Sequence, residues 1–226
     1  MSELYLVRHA QASFGAEDYD RLSTLGHQQA RWLGEYFHFR KLQFDRVVCG
    51  NMVRHRETLK GISQGMGVPM QEHATHDEWN EFDFQSLIEA YLGVHPEETP
   101  GGQASSQELS LVLRKTLHAW ASDRLPAGIP ETFSAFEQRI QTALSLTTAQ
   151  AEPARRILVV SSGGAISMAL KQVLMTPPEV MIQMNIQTRN SSFSHLYFNQ
   201  SRMQLSGFNH VPHLDHPNRN SALTYF

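Results

Sequence analysis

A short apolar run that ends abruptly in polar residues constrains the fold of this chain more than any other feature. Leu4-Tyr5-Leu6-Val7 is followed at once by Arg8-His9-Ala10, which is the profile of a buried strand ending at a site. In open α/β sheets, ligands bind beyond the carboxyl ends of the strands. The pattern therefore predicts a sheet whose first strand presents a guanidinium and an imidazole at the ligand-binding edge.

The remaining sequence alternates strand-like and helix-like segments. A helix is expected over residues 24–39, a strand over 46–49, a helix over 53–65 and a central parallel strand over 157–160. This order is typical of βαβ units with a parallel sheet. We predict an α/β fold: a single domain spanning residues 1–226, with three α/β/α layers around a mostly parallel sheet.

Arginine followed by histidine suits phosphate chemistry, but the dipeptide alone is weak support. A neutral imidazole can attack phosphorus, and an arginine can hold phosphoryl oxygens through charge-assisted hydrogen bonds. The chain has 12 histidines and repeats the dipeptide at Arg54-His55. Context separates the two, because His9 ends a buried strand, whereas His55 lies in a run with helical character where polar residues are expected anyway.

Two sequence blocks carry a resemblance to a known family. Leu6-Val7-Arg8-His9-Ala10-Gln11 and the downstream Leu22-Ser23-Thr24-Leu25-Gly26-His27-Gln28-Gln29-Ala30 resemble the opening of the histidine phosphatase superfamily, whose fold is phosphoglycerate mutase-like. The family's blocks read LVRHG and then LT..G..QA, so Ala10 stands where glycine is usual. The resemblance implies that His9 is a nucleophile that forms a phosphohistidine and that Arg8 binds the phosphoryl group, with no metal ion or cofactor.

The resemblance extends to the start of the second predicted helix. Residues 49–58 follow the family's frame of small residues and then Leu-x-Arg-x-x-Gln-Thr, with Arg54 at the phosphate-binding arginine and Glu57 where glutamine is common. A helix that begins after a parallel strand directs its N–H groups and positive end toward the same sheet edge as His9. Arg54 is therefore expected at the phosphate, and the resemblance gives His55 no role.

A third segment is crowded with acidic and aromatic residues. Cleavage of a phosphate ester requires a proton for the departing alkoxide, so a carboxyl group with a raised pKa is expected opposite the nucleophile. The family places a glutamate in this region, and Trp79-Asn80-Glu81-Phe82-Asp83 matches its frame best. The resemblance makes Glu81 the proton donor, with Asp77, Glu78 and Asp83 as rivals.

The central strand ends in Ser161-Ser162-Gly163-Gly164, where the sequence departs from the family's pattern. The family usually has its second histidine at the position of Ser162. A hydroxyl keeps one neutral donor but loses the charge, and loss of a whole oxyanion donor costs about 3 to 4 kcal/mol. Ser162 and the backbone at Gly163 are expected to bind phosphate, and His195 or a histidine of the C-terminal tail is a speculative substitute for the missing imidazole.

Three other segments carry expectations about structure. Residues 84–125 are expected to form a helical cap over the site, with an ordinary outer helix pair as the alternative. Residues 189–198 resemble the family's N-x-S turn into an edge strand, and residues 203–208 are expected to complete a hairpin. The histidines between His210 and His216 lack the spacing of a metal site and indicate a surface tail.

Charge and cysteine content limit the partners. The formal net charge is −3, which gives no reason to expect nucleic-acid binding. Cys49 is the only cysteine, so no intramolecular disulfide can form, and this fits a cytoplasmic setting. No apolar stretch resembles a signal peptide or approaches the length of a membrane span. We expect Cys49 to be a small buried hydrophobe.

The sequence thus predicts a phosphomonoesterase that acts on a phosphorylated small molecule or a phosphoprotein. One alternative is a phosphoglycerate mutase, but mutases of the family follow their acid with Arg-His-Tyr-Gly, whereas Glu81 is followed by Phe82-Asp83-Phe84-Gln85. The other alternative is a phosphate-ester-binding or regulatory protein that has lost turnover at Ser162. Neither the substrate nor the oligomeric state follows from the sequence.

Overall fold

The computed structural model describes residues 1–13, 20–69, 72–102, 105–149 and 155–225. Part of the loop expected after the first strand lies outside these ranges. The strands are β1 (Ser2–Arg8), β2 (Arg46–Cys49), β3 (Ala74–Thr75), β4 (Arg156–Ser161), β5 (Phe193–Phe198) and β6 (Met203–His210). The α-helices are α1 (Thr24–Phe39), α2 (Val53–Met66), α3 (Phe84–Val94), α4 (Ser106–Ala121), α5 (Phe133–Thr148), α6 (Gly163–Leu174) and α7 (Pro178–Gln187).

The strands form one sheet in the order β3-β2-β4-β1-β5-β6. β1 to β4 are mutually parallel, whereas β5 runs antiparallel to β1 and β6 antiparallel to β5. The predicted α/β fold with a mostly parallel sheet is confirmed.

Alternate residues of the strands face two separate apolar layers. Leu4 and Leu6 of β1 pack in a large cluster with residues of α5, α6 and α7. Tyr5 and Val7 face the opposite side and pack with residues of α1 and α2. Because successive side chains of a strand point to opposite faces, burial on both faces requires the continuous apolar runs seen in the sequence.

Three expectations differ in detail from the structure. The strand at 193–198 is internal, because β6 pairs with it and forms the sheet edge instead. Sequence analysis missed α7, which begins at the second residue of a Pro177-Pro178 pair. The C-terminal segment is not simply a surface tail: His213 and Leu214 are 3% and 1% exposed, and a 3₁₀ helix follows at Pro217–Ala222.

Other observations bear on the remaining expectations. Cys49 is buried, and burial raises the pKa of its thiol to about 12, as fits a small apolar residue. Residues 84–125 contain α3, a short 3₁₀ helix and α4, and their role as a substrate-selecting cap stays a prediction. Among the described residues, no helix is long and apolar enough to cross a membrane.

The core predicts a large difference between two truncations in α5. Phe136 is fully buried, with ring contacts to Phe82 and Trp120, whereas Leu146 is 41% exposed. Phe136→Ala should lower the free energy of unfolding by about 3–5 kcal/mol, because it removes buried surface and leaves a cavity. Leu146→Ala should change it by no more than about 0.5 kcal/mol. Urea unfolding measures both, and equal losses would contradict this packing.

Candidate active site

The site is built where β1, β4 and β2 end side by side. Arg8 pairs in register with Ser161, and the His9 N–H donates to the Ser161 carbonyl at 2.8 Å. The Gly50 N–H, just past β2, donates to the Val160 carbonyl at 3.0 Å. The next residues of these strands therefore meet at the carboxyl edge of the sheet, where a ligand is expected.

His9 is held as a neutral imidazole. It is 4% exposed, and its Nδ1 lies 2.8 Å from the Ala10 carbonyl oxygen. Because a carbonyl can only accept, Nδ1 carries the proton and Nε2 keeps a lone pair. Burial, and then the nearby positive charges of Arg54 and Arg8, hold the pKa of His9 well below its usual value. Nε2 is therefore unprotonated and able to attack an electrophile.

Arg54 reaches His9 from the first turn of α2. Its Nε donates to His9 Nε2 at 3.2 Å, and its Nη1 donates to Asp20 Oδ1 at 2.9 Å. Asp20 also accepts from the Val53 N–H at 2.8 Å. It thereby caps α2, because the N-cap residue Met52 makes no side-chain cap bond. Sequence analysis missed Asp20, which lies in the loop between β1 and α1.

Arg8 and the two glycines of α6 form the opposite wall. Arg8 Nη1 donates to the Thr188 carbonyl. A side chain at Gly163 would place its Cβ 3.4 Å from Arg8 Nε, so Arg8 lies against the start of α6. The first turn of this helix thus lies beside Arg8, and a helix N-terminus is suited to an anion.

Glu81 lies across the start of α6. Its Oε2 accepts from the Gly164 N–H at 3.0 Å, and a Cβ at Gly164 would come within 2.2 Å of Oε1. Burial raises the pKa of Glu81, and this outweighs the Gly164 hydrogen bond and the charges of Arg54 and Arg8, which lower it. A carboxyl group whose pKa is raised by burial is suited to act as a general acid.

The segment before Glu81 is fixed by α5. Arg139 forms a two-pronged salt bridge with Glu131 at 2.8 Å, and its Nη1 donates to the carbonyls of Glu78 and Asn80. The buried Trp79 indole donates to Thr147 Oγ1 at 3.0 Å. The rival Asp83 instead caps α3 by accepting from the Ser86 N–H.

His55, which sequence analysis set aside, lies in the same pocket. It is fully buried, its Nε2 lies 2.7 Å from Ser162 Oγ, and its ring centroid is 5.8 Å from that of His9. The signal that could have revealed it is Gly50, because a Cβ there would come within 2.2 Å of His55 Nδ1. The backbone of β2 thus leaves room for this ring.

The histidines suggested as substitutes at Ser162 have other partners. His195 Nε2 contacts Glu3 at 3.0 Å, and His213 Nε2 lies 2.8 Å from Ser191 Oγ. The Ser191 N–H donates in turn to the His9 carbonyl at 3.2 Å. The N-x-S turn and the C-terminal segment therefore support the backbone of His9 from behind.

Two of the clefts lined by the described residues bear on where a ligand could bind. One of about 810 Å³ lies over β1, β5 and β6, and none of the six predicted site residues lines it. Another, of about 680 Å³, opens beside Gln11, two residues after His9, and is lined by α4 residues that include Leu111 and Arg114. The second cleft is the one that adjoins the chain segment directly after His9.

A group of three potential metal ligands is present elsewhere. His95, Glu97 and Glu98 offer atoms within 4.8 Å of one another at the end of α3. Glu98 already accepts from Lys115 at 2.9 Å and from the Tyr91 hydroxyl. These residues belong to a surface ion-pair group and not to the pocket around His9.

The sequence matches the family model of the histidine phosphatase superfamily (branch 1) over residues 4–211. The chain therefore belongs to the histidine phosphatase superfamily. No curated protein matches it significantly.

Solved structures of phosphatases share the fold. A mutant phosphoserine phosphatase from Entamoeba histolytica, in complex with phosphoserine, aligns with a TM-score of 0.67 at 18% identity, covering 95% of this chain and 100% of the other. The alpha-ribazole phosphatase from Shigella flexneri aligns with a TM-score of 0.62 at 22% identity, covering 92% of this chain and 96% of the other. A mycobacterial glucosyl-3-phosphoglycerate phosphatase aligns with a TM-score of 0.64 at 18% identity, covering 92% of this chain and 98% of the other.

The buried His213 predicts a specific pH dependence of stability. Burial, and then Arg219, lower its pKa to about 3, so the folded protein stays unprotonated there while the unfolded chain takes up a proton below about pH 6.5. The free energy of unfolding therefore decreases as the pH decreases, by about 1.4 kcal/mol per pH unit for this one group. His213→Gln should reduce the slope of the free energy of unfolding against pH by about 1.4 kcal/mol per pH unit between about pH 6 and about pH 4. Urea unfolding at several pH values measures the slope, and an unchanged slope would contradict this assignment.

Proposed function

We propose that this chain is a metal-independent phosphomonoesterase that acts through a phosphohistidine at His9. The observation that carries the proposal is a buried imidazole kept neutral, with Nε2 facing Arg54 and a carboxyl group of raised pKa on the other wall. Nucleophile, cationic donors and acid are the groups that phosphoryl transfer from an ester requires.

In the first step, His9 Nε2 attacks phosphorus. Without substrate, the Arg54 Nε–H group donates a hydrogen bond to His9 Nε2. When the phosphoryl group binds, the same N–H donates to one phosphoryl oxygen instead, and Arg8 neutralises a second oxygen. The N–P bond forms as the P–O ester bond breaks. Glu81 gives its proton to the departing alkoxide, which makes it a neutral alcohol.

In the second step, water replaces the alcohol. The Glu81 carboxylate accepts a proton from water as the water oxygen bonds to phosphorus, and the N–P bond breaks with its electron pair returning to Nε2. Inorganic phosphate leaves and Glu81 is protonated again. Ser162 and the first N–H groups of α6, at Gly163, complete the set of donors around the phosphoryl oxygens.

The substrate is proposed as a phosphorylated small molecule or a phosphoprotein. The related folds belong to phosphatases of phosphoserine, of an alpha-ribazole ester and of glucosyl-3-phosphoglycerate, so a range of esters fits this scaffold. We assign the leaving group to the cleft beside Gln11, where Leu111 offers apolar surface and Arg114 a positive charge. A cytoplasmic location without nucleic-acid or membrane partners stays a prediction.

The mutase alternative finds little support around Glu81. Phe82 is buried against Trp120 and Phe136, and Asp83 caps α3, so the residues after Glu81 offer no cation for a second phosphate. Incubation with 3-phosphoglycerate and its bisphosphate primer separates the two functions. Isomerisation without net phosphate release would favour the mutase.

The first catalytic prediction concerns His9. Phosphate release from p-nitrophenyl phosphate should fall by at least about 10³-fold in His9→Ala, because the variant lacks the imidazole that the proposed mechanism uses as nucleophile. A colorimetric phosphate assay measures the rate. If wild type and variant share the same negligible rate while both bind phosphate, the protein is a binding module instead.

The second prediction concerns the leaving group. Glu81→Gln should lower kcat by about 10²- to 10⁴-fold for an alkyl phosphate, whose alkoxide needs a proton, and by less than about 10-fold for p-nitrophenyl phosphate. The exposed Glu89→Gln on α3 serves as the matched control. Equal losses for both esters would remove Glu81 from the role of acid.

A further inference from the structure

We propose that His55 is a positioning residue for phosphoryl transfer: its ring orients the Ser162 hydroxyl so that this hydroxyl donates to a phosphoryl oxygen held at His9. The inference deepens the proposed function and rests on it. It assigns a role to the one fully buried histidine beside His9 that the two-step mechanism does not use.

The two side chains form a close, dry pair at the site. His55 Nε2 and Ser162 Oγ are 2.7 Å apart, and both residues are 0% exposed. His55 lies on α2 directly after Arg54, and Ser162 lies between β4 and α6 directly before Gly163. The pair therefore bridges the two elements that hold the proposed phosphate donors.

Ser162 is diverted from the role that its position would give it. It is the N-cap residue of α6, where a serine hydroxyl ordinarily accepts from the N–H of the second or third helical residue. No such cap bond forms, and the Gly164 N–H donates to Glu81 instead. The hydroxyl is thus bonded to His55 at the cost of a helix cap, which a purely structural serine would supply.

The His55 ring carries a single proton, and the nitrogen that holds it sets the direction of the bond to Ser162. Burial, and then the charge of Arg54, hold its pKa well below its usual value, so the ring carries a single proton. Nδ1 lies against Gly50, whose backbone raises the pKa of His55 by less than burial lowers it, and Nδ1 makes no hydrogen bond of good geometry with a described residue. With the proton on Nε2, His55 donates to Ser162 Oγ, and the hydroxyl hydrogen is left for a phosphoryl oxygen.

The opposite placement would work against anion binding. A proton on Nδ1 would turn Nε2 into an acceptor, and the Ser162 hydroxyl would then donate to His55 and present lone pairs to the phosphate. The nitrogen of His55 that holds the proton therefore decides whether position 162 attracts or repels phosphoryl oxygens. The fit is tight, since a Cβ at Gly50 would lie 2.2 Å from Nδ1 and 2.8 Å from Cε1.

Four variants test the pair. His55→Leu removes the donor at similar volume, His55→Gln keeps an amide N–H that can reach Ser162, Ser162→Ala removes the hydroxyl, and the fourth combines His55→Leu with Ser162→Ala. The control is His38→Gln, because His38 bonds the Met66 carbonyl at the far end of α2. Each is assayed for kcat and KM with p-nitrophenyl phosphate and for orthovanadate affinity by calorimetry, after its thermal unfolding shows a folded state.

The expected pattern is a shared and non-additive loss. His55→Leu and Ser162→Ala should each lower kcat by about 10- to 100-fold with KM changed by less than about 3-fold, and the double variant should be no worse than the poorer single one. His55→Gln should keep kcat within about 5-fold of wild type. Orthovanadate affinity should weaken in parallel with kcat, while His38→Gln stays at the wild-type values.

Other results would overturn the inference. A wild-type kcat and wild-type vanadate affinity in His55→Leu would remove His55 from the site, and multiplying losses in the double variant would show that the residues act separately. If His55→Leu does not fold, additivity is replaced by the comparison of His55→Gln with Ser162→Ala: equal losses would reject the orienting role. A wild type without His9-dependent phosphate release would reject the proposed function, while the vanadate series would still decide whether the pair contacts the anion.

Discussion

The parallel pairing of β1 with β4 is the constraint on which the rest of the site depends. Their register places Arg8 opposite Ser161, so His9 and Ser162 emerge at the same level. A shift of one residue would exchange the buried faces of a strand whose two sides pack in different apolar layers, and this fixes the register strongly. Backbone hydrogen bonds, and not flexible side chains, therefore set the separation between nucleophile and helix start.

Electrostatics then decide what this edge can bind. Arg8 and Arg54 place two positive charges beside an uncharged His9, and Arg54 also forms a salt bridge with Asp20. Two guanidinium groups placed side by side can neutralise the charge of a bound phosphate dianion. The same burial that lowers the pKa of His9 raises the pKa of Glu81. Burial thus shifts the pKa values of an imidazole and of a carboxyl group in opposite directions, as the proposed mechanism requires.

Much of this site could be predicted from the sequence because its residues sit next to element boundaries and match the motifs of the histidine phosphatase superfamily. Arg8, His9, Arg54, Ser162 and Gly163 each adjoin a strand end or a helix start, and Glu81 follows a recognisable aromatic segment. The structure brings all six together at one sheet edge. Their catalytic roles rest on the proposed mechanism.

Contacts across elements were beyond the sequence. The role of His55 depends on the space left by Gly50, on another element, and on the direction of the Ser162 hydroxyl. Asp20 and His213 likewise bond to residues distant in the chain. Asp20 accepts from the N–H at the start of α2, and His213 bonds Ser191 in the turn before β5. Helical periodicity describes which face of α2 is buried but not which partner a buried polar group meets there.

The most direct test of the account is to trap the phosphoryl group on the protein. Wild type is mixed with a phosphate ester radiolabelled on phosphorus, quenched in strong base within one turnover, and digested for mass spectrometry. We expect an acid-labile, base-stable label on His9 that disappears in His9→Ala. Phosphate release without a protein-bound label, or a label on any other residue, would contradict the phosphohistidine mechanism.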